Sequence, residues 1–208
     1  MKRIGLIGGV SPESTEVYVR LLNQGARMRL GGEHSANFLV FHLDYGVMIG
    51  HYRTRNWPAF IDEVVKAGAA LTRAGADALM IGSNTTHIAA GKLAETAGVR
   101  VIHLLDALAD AMRPAGVRRP LLIGTAFTMS GDFYRSALAE RYKGEVSTPT
   151  EEEQRSIERI ILDELCHGVV KEDSRQALLD VIGEHGEADG VILGCTELCL
   201  ILSQNHLA

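Results

Sequence analysis

Short apolar runs alternate with longer stretches of helical periodicity along the whole chain. Continuous Val/Ile/Leu runs predict strands near Arg3–Gly8, Asn37–His42, Ala78–Gly82, Val101–His103, Pro120–Gly124 and Gly190–Gly194. Apolar positions recurring every three or four residues predict helices near Glu13–Leu30, Trp57–Ala74, Ile88–Ala97 and Ala107–Met112. Four more follow near Asp132–Tyr142, Glu151–Gly168, Ser174–His185 and Thr196–Ser203. Strands that lack in–out alternation are buried on both faces, so the pattern predicts parallel sheets covered by helices. Helix starts are marked by Ser11-Pro12-Glu13-Ser14, by Pro149 before Glu151–Glu153, and by Asp173-Ser174.

The two halves repeat one another. Ala76-Asp77-Ala78-Leu79-Met80-Ile81-Gly82-Ser83 lines up with Ala188-Asp189-Gly190-Val191-Ile192-Leu193-Gly194-Cys195. Each is a buried strand that ends in glycine and a small nucleophilic residue. Each half also opens on a strand with a small-residue exit, Leu6-Ile7-Gly8-Gly9 and Leu122-Ile123-Gly124-Thr125, at nearly the same distance upstream. Small residues after parallel strands are common, but the matched spacing and shared Ala-Asp favour a duplicated lobe. The expected architecture is α/β with two pseudo-symmetric lobes, residues 1–107 and 108–208, each a parallel sheet flanked by helices. An active site is expected in the cleft between them.

Ligands of open α/β sheets sit beyond the carboxyl ends of the strands, which is where Ser83 and Cys195 fall. Two such side chains facing one cleft suit a reaction that removes a proton from one side of a carbon and returns it from the other. Cys195 precedes the helix predicted from Thr196, and a helix N-terminus favours a thiolate. The alternative, a small buried hydrophobe, is the usual fate of a cysteine and is the reading preferred for Cys166 and Cys199. Ser11, Asn84, Thr85, Thr125, Thr128 and Thr196 gather at the same strand ends. Hydroxyls, an amide and backbone N–H groups there can cradle carboxylates, or the hydroxyls can serve as N-caps. Tyr52 and Arg53, with Arg55, lie in the loop expected after Asp44. They are candidates to hold a second carboxylate, or else solvated loop residues. His87 either touches the cleft or orients the Asn84-Thr85-Thr86 turn.

Composition narrows the remaining classes. A formal charge of −5 over 208 residues, with 5% aromatics, offers neither a basic stripe nor stacking platforms for nucleic acid. The Ile4–Val10 run is too short and too rich in glycine for a signal segment, and no apolar stretch approaches a membrane span. Three cysteines suit a reducing cytoplasm. The glycine spacing of Gly5 to Gly9 fails a dinucleotide fingerprint, and there is no phosphate-loop, H-E-x-x-H or G-x-S-x-G pattern. None of these patterns points to a metal ion, a dinucleotide or a hydrolase.

The chain resembles the aspartate/glutamate racemase family over nearly its whole length. The resemblance is carried by Gly5–Ser11 with Glu13-Ser14-Thr15, Leu30–Ala36, and Asn84-Thr85-Thr86-His87. It continues in Gly124-Thr125 with Phe127-Thr128-Met129, in Phe133-Tyr134, and in Gly194-Cys195-Thr196-Glu197-Leu198. It implies paired α/β lobes, a homodimer, an acidic amino acid as substrate, and 1,1-proton transfer at Cα without pyridoxal phosphate. It also implies that Cys195 is the second-lobe catalytic cysteine, whereas Ser83 stands where the family pattern has its first cysteine, as in an atypical branch with a hydroxyl there. Members of the family usually continue with a further strand and a closing helix past the position of Ala208, and the sequence departs from that pattern. An arylmalonate-type decarboxylase keeps only the second cysteine and is the alternative within the superfamily. A non-catalytic dicarboxylate-binding protein is the alternative outside enzymes.

Overall fold

A computed structural model of the protein describes residues 2–206, and its contacts divide the chain into two compact units, Met1–His103 and Leu104–Ala208. The first unit holds a four-stranded parallel sheet in the order β2-β1-β3-β4, with β1 at Ile4–Gly8, β2 at Phe38–His42, β3 at Ala78–Ile81 and β4 at Arg100–Ile102. In the central strands Leu6 pairs with Met80 and Ile7 with Ile81.

Alternation along the strands sends Ile7, Leu79 and Ile81 to one face. There they pack with Met48, Phe60, Val64, Ala67, Leu71 and Leu93 from helices α2 (Tyr45–Arg53), α3 (Trp57–Arg73) and α4 (Ala90–Thr96). Full burial of each large side chain of this kind stabilises the fold by roughly 1.5–3 kcal/mol. Helix α1 (Pro12–Leu30) runs over the face that carries Ile4 and Met80. It leaves a groove of about 630 Å³ lined by those two residues with Tyr18, Leu22, Ala26 and Arg29.

The second unit pairs β5 (Pro120–Ile123) with β6 (Gly190–Leu193) in parallel, and Leu121 also bridges to Ser147. Around them lie α5 (Leu104–Ala115), α6 (Ala126–Ser130), α7 (Asp132–Tyr142), α8 (Glu151–Asp163), α9 (Glu172–Glu184) and α10 (Leu198–Ile201). Leu121, Leu122, Ile123, Tyr134, Leu138, Ile161 and Leu178 form its buried interior. Helix α8 begins in a capping box: the Thr150 backbone N–H donates to Glu153 Oε2 (2.6 Å), and the Glu153 N–H donates to Thr150 Oγ1 (3.4 Å).

The strands and most helices lie where the apolar pattern puts them, with four differences. The segment expected as a loop after Asp44 is helix α2, started by Asp44 Oδ1 accepting from the Val47 N–H at 3.0 Å. Thr125 caps a second unforeseen helix, α6. The helix expected from Glu151 to Gly168 ends at Asp163 and continues as a 3-10 turn over Leu165–His167, before Gly168 in the left-handed region. The one expected from Thr196 is only the single turn of α10. Cys199 is exposed rather than packed inside, while Cys166 is buried. Among the described residues no helix is long and apolar enough to cross a membrane.

The Ala-Asp shared by the two halves performs the same task in each. Asp77 Oδ2 accepts the Arg3 N–H at 2.6 Å, and the Asp77 N–H returns to the Arg3 carbonyl at 2.8 Å. In the second unit Asp189 accepts from the N–H groups of Arg118 (2.8 Å) and Arg119 (2.7 Å), and its own N–H donates to the Arg119 carbonyl at 3.1 Å. Each aspartate thus ties the start of one strand to the start of its neighbour, at the end of the sheet opposite the glycine exits.

Candidate active site

In the first unit, the loops following β1, β2 and β3 meet. The Leu43 N–H donates to the Gly8 carbonyl at 3.0 Å, and the Gly9 N–H donates to Thr15 Oγ1 at 2.8 Å. Gly9 has φ +87 and lies so close to Leu43 that a Cβ would strike the Leu43 carbonyl, so only glycine fits. Ser11 is 2% exposed at the N-cap of α1, although its side chain makes no capping bond. Its carbonyl accepts from the hydroxyls of Ser14 (2.9 Å) and Thr15 (3.0 Å). The Ser14 hydroxyl also reaches the Gly82 carbonyl at 3.3 Å, fastening the first turn of α1 to the residue before Ser83.

Ser83 and Asn84 are both buried, and Thr85 opens the 3-10 turn Thr85–Ala89. His87, also buried, donates from Nδ1 to the Ser83 carbonyl at 2.7 Å, and its ring lies 4.9 Å from that of His103. His87 therefore orients the turn that presents Ser83, one of the two roles open to it from sequence. Ser11, Ser83, Asn84 and Thr85 thus share one sheet end, as expected.

Tyr52 and Arg53 do not lie in a loop. Tyr52 is in the last turn of α2 and packs edge-on against Trp57 with ring centroids 5.8 Å apart, beside the hydrophobic core. Arg53 ends that helix and is exposed, like Arg55.

In the second unit β5 and β6 release their loops side by side. The Gly194 N–H donates to the Ile123 carbonyl at 2.6 Å. A Cβ on Gly124 would stand 3.0 Å from the Gly194 carbonyl oxygen, and one on Gly194 would stand 2.9 Å from the Ile123 carbonyl oxygen, so the two exits pack closely as glycines. Thr125 and Thr128 are buried with their hydroxyls 3.0 Å apart, and Thr125 Oγ1 accepts the Thr128 N–H at 3.3 Å. The Ala126 N–H, at the start of α6, donates to Glu158 Oε1 at 3.1 Å.

Cys195 keeps part of its surface open, and its Sγ donates to Glu197 Oε2 at 2.8 Å. The Thr196 hydroxyl donates to the same oxygen at 2.9 Å, and Glu197 is 3% exposed. This corrects the expected thiolate. Burial of the sulfur, and then the charge and hydrogen bond of Glu197, push the Cys195 thiol well above its usual range. The helix that was to lower it is a single turn with little positive end to offer, and a carboxylate occupies the position next to the sulfur instead. Glu197 stands in the sequence as part of Gly-Cys-Thr-Glu, but only the fold-back of its side chain onto Cys195 reveals its part.

The second unit thus gathers a thiol, a carboxyl group and a buried threonine pair at one sheet end, and the first presents a buried serine on a turn at its own. Residues 7–207 match the family model described as Asp/Glu/hydantoin racemase. A Yersinia pestis protein provisionally described as an Asp/Glu racemase is 35% identical, with a TM-score of 0.89 over 99% of this chain and 90% of that one. An aspartate racemase homologue from Pyrococcus horikoshii OT3 is 32% identical, with a TM-score of 0.83 over 99% and 90%. Glutamate racemase from Campylobacter jejuni subsp. jejuni, at 18% identity and a TM-score of 0.66 over 96% and 74%, shares the fold. The chain belongs to the Asp/Glu/hydantoin racemase family, and an isomerase function of the racemase type is what its family and structural neighbours support.

Proposed function

We propose that the protein is a cofactor-independent amino-acid racemase acting on aspartate, glutamate or a close acidic relative, with Cys195 as base toward one enantiomer. The observation that carries the reading is the 2.8 Å bond from the Cys195 thiol to buried Glu197. Abstraction begins when Glu197 takes the thiol proton. The sulfur then removes the proton from Cα, and the electron pair left on Cα spreads into the adjacent carboxylate. A thiolate formed in a desolvated site is a stronger base than one with an ordinary pKa, which suits a weakly acidic C–H. In the opposite direction the resting S–H is already the proton donor.

Reaction at Cα also needs a group on the other side of the carbon, and the proposal assigns it to Ser83. A serine hydroxyl can donate a proton but is a poor base near neutral pH, so exchange of the two enantiomers is expected to be unequal. Asn84, Thr85, Thr125, Thr128, Ser11 and Thr196 supply the hydrogen bonds for substrate carboxylates. Arg53, with Tyr52 beside it, is proposed for the distal one. The working form is proposed to be a homodimer in the cytoplasm, binding a small acidic amino acid and no nucleic acid or membrane.

The test is loss of the Cα proton signal in deuterated water with each enantiomer of aspartate and glutamate. Exchange by the native enzyme and none by Cys195→Ala is expected. Absence of exchange with all four sinks the reading for those substrates. The protonated thiol also favours a second reading, an arylmalonate-type decarboxylase, because that reaction needs only a proton donor after loss of carbon dioxide. Cys195-dependent release of carbon dioxide from substituted malonates, without Cα exchange, would select it. Stabilisation by dicarboxylates with neither activity would leave a binding protein.

A further inference from the structure

Glu13 stands in the first turn of α1, where its Oε2 is shielded from solvent and meets no hydrogen-bond partner among the described residues. The turn that carries it is not loose. The neighbouring Ser14 hydroxyl is bonded to both the Ser11 and Gly82 carbonyls, so the turn that carries Glu13 is fastened to the exit of β3, one residue before Ser83. A second buried oxygen in the same loop set, Thr86 Oγ1 on a residue 1% exposed, also meets no hydrogen-bond partner among the described residues. Because β1 and β3 are adjacent and parallel, with Ile7 opposite Ile81, both atoms belong to the same end of the sheet as Ser83.

A buried acceptor without a donor is costly, and more so when it is a carboxylate oxygen. A carboxylate only accepts, so the group that completes Glu13 must bring N–H or O–H, and positive charge suits it best. A substrate carboxylate is excluded from that position by repulsion. We propose that Glu13 is the seat of the substrate's α-ammonium group, with the Thr86 hydroxyl accepting a second N–H. The inference rests on the reading of the substrate as an amino acid and adds what the hydroxyl cradle does not explain, namely the recognition of the amine. An ammonium kept protonated beside Cα also stabilises the negative charge that develops there when the proton leaves.

The experiment measures binding of L-aspartate, L-alanine and the des-amino acid succinate by calorimetry, using the whole protein and the variants Glu13→Gln, Glu13→Asp and Thr86→Val. The native protein is expected to bind L-aspartate at least about tenfold more tightly than succinate. Glu13→Gln should erase that preference while changing succinate affinity less than about twofold, and Glu13→Asp should keep part of it. Thr86→Val should lose a smaller share. Two results overturn the proposal: no preference for an amine in the native protein, or a preference that survives in Glu13→Gln. The second is also the outcome if only a water molecule completes Glu13. Should Glu13→Gln fail to fold, Glu13→Asp and the native ligand series decide between the same outcomes. The racemase reading is judged apart, by Cα exchange. Glu13-dependent selection of an amine without exchange leaves the ammonium site standing and removes the racemase, and exchange with an unchanged preference in Glu13→Gln does the reverse.

Discussion

The Cys195 thiol and the Glu197 carboxylate are joined by a 2.8 Å hydrogen bond, and burial of the sulfur together with the charge of that carboxylate pushes the thiol above its usual range. Replacing Glu197 with Gln removes the charge and the proton acceptor together. The pH at which Cys195 becomes reactive toward iodoacetamide, followed site by site by mass spectrometry, is expected to lie above the usual thiol range near about 8.5. In Glu197→Gln it should move down, though not all the way, because burial of the sulfur remains. Turnover should fall by roughly a hundredfold or more, the contribution typical of a positioned general base. An unchanged reactivity profile would show that the carboxylate does not govern the thiol.

Ser83 is the weaker member of the proposed acid–base pair, and that weakness is chemical. Ser83→Cys changes one atom on a turn already set by His87. A thiol is far more easily ionised than a serine hydroxyl. Exchange of the enantiomer that depends on this side should rise by at least about tenfold, while exchange of the other changes little. Equal effects on both enantiomers in deuterium exchange would argue against a side-specific role.

Asp189 accepts two backbone N–H groups, from Arg119 and Arg118, which hold its carboxyl below the ordinary range. A depressed carboxyl stabilises the fold above the pKa of the unfolded chain, near about 3.9, and that stabilisation is lost as pH falls through the folded-state value. Thermal unfolding of Asp189→Asn should therefore fall below that of the native protein at pH 7. The gap should narrow steadily below about pH 4. A gap that does not depend on pH would place the effect in packing alone.

Gly9 tests the backbone of the first-unit site. With φ +87 and the Leu43 carbonyl against its Cα, Gly9→Ala is expected to lower stability by about 1–3 kcal/mol or more. Denaturation midpoints would show it. Gly25, on α1 with open space around it, is the control: Gly25→Ala should be neutral or slightly stabilising.

Much of this molecule was legible along the chain, because strands buried on both faces read as unbroken apolar runs and the Gly-Ser83 and Gly-Cys195 exits sit at their ends. Helix α2 was not, since Gly46 and Gly50 interrupt its pattern and Met48 is its one buried residue. It depends on the Asp44 cap and on packing beside α3. Tyr52 and Arg53 were accordingly misplaced into a loop. The surroundings of Cys195 are hidden from the sequence for a related reason. A helix predicted from Thr196 suggested a positive end, and only the conformation of Glu197 shows that a negative charge lies against the sulfur. The partnerless oxygen of Glu13 has no signature in the sequence at all.

The paired aspartates carry a consequence for how such a protein can change. Asp77 and Asp189 each pin strand alignment at the end of their own sheet opposite the glycine exits, so the register of each half has an anchor outside its exit loops. A residue at a strand exit can then be exchanged in one unit without unsettling the scaffold that presents it. Serine at position 83 in one unit and cysteine at 195 in the other fit that freedom: the strand anchor is alike in both, and the residue at the strand exit differs.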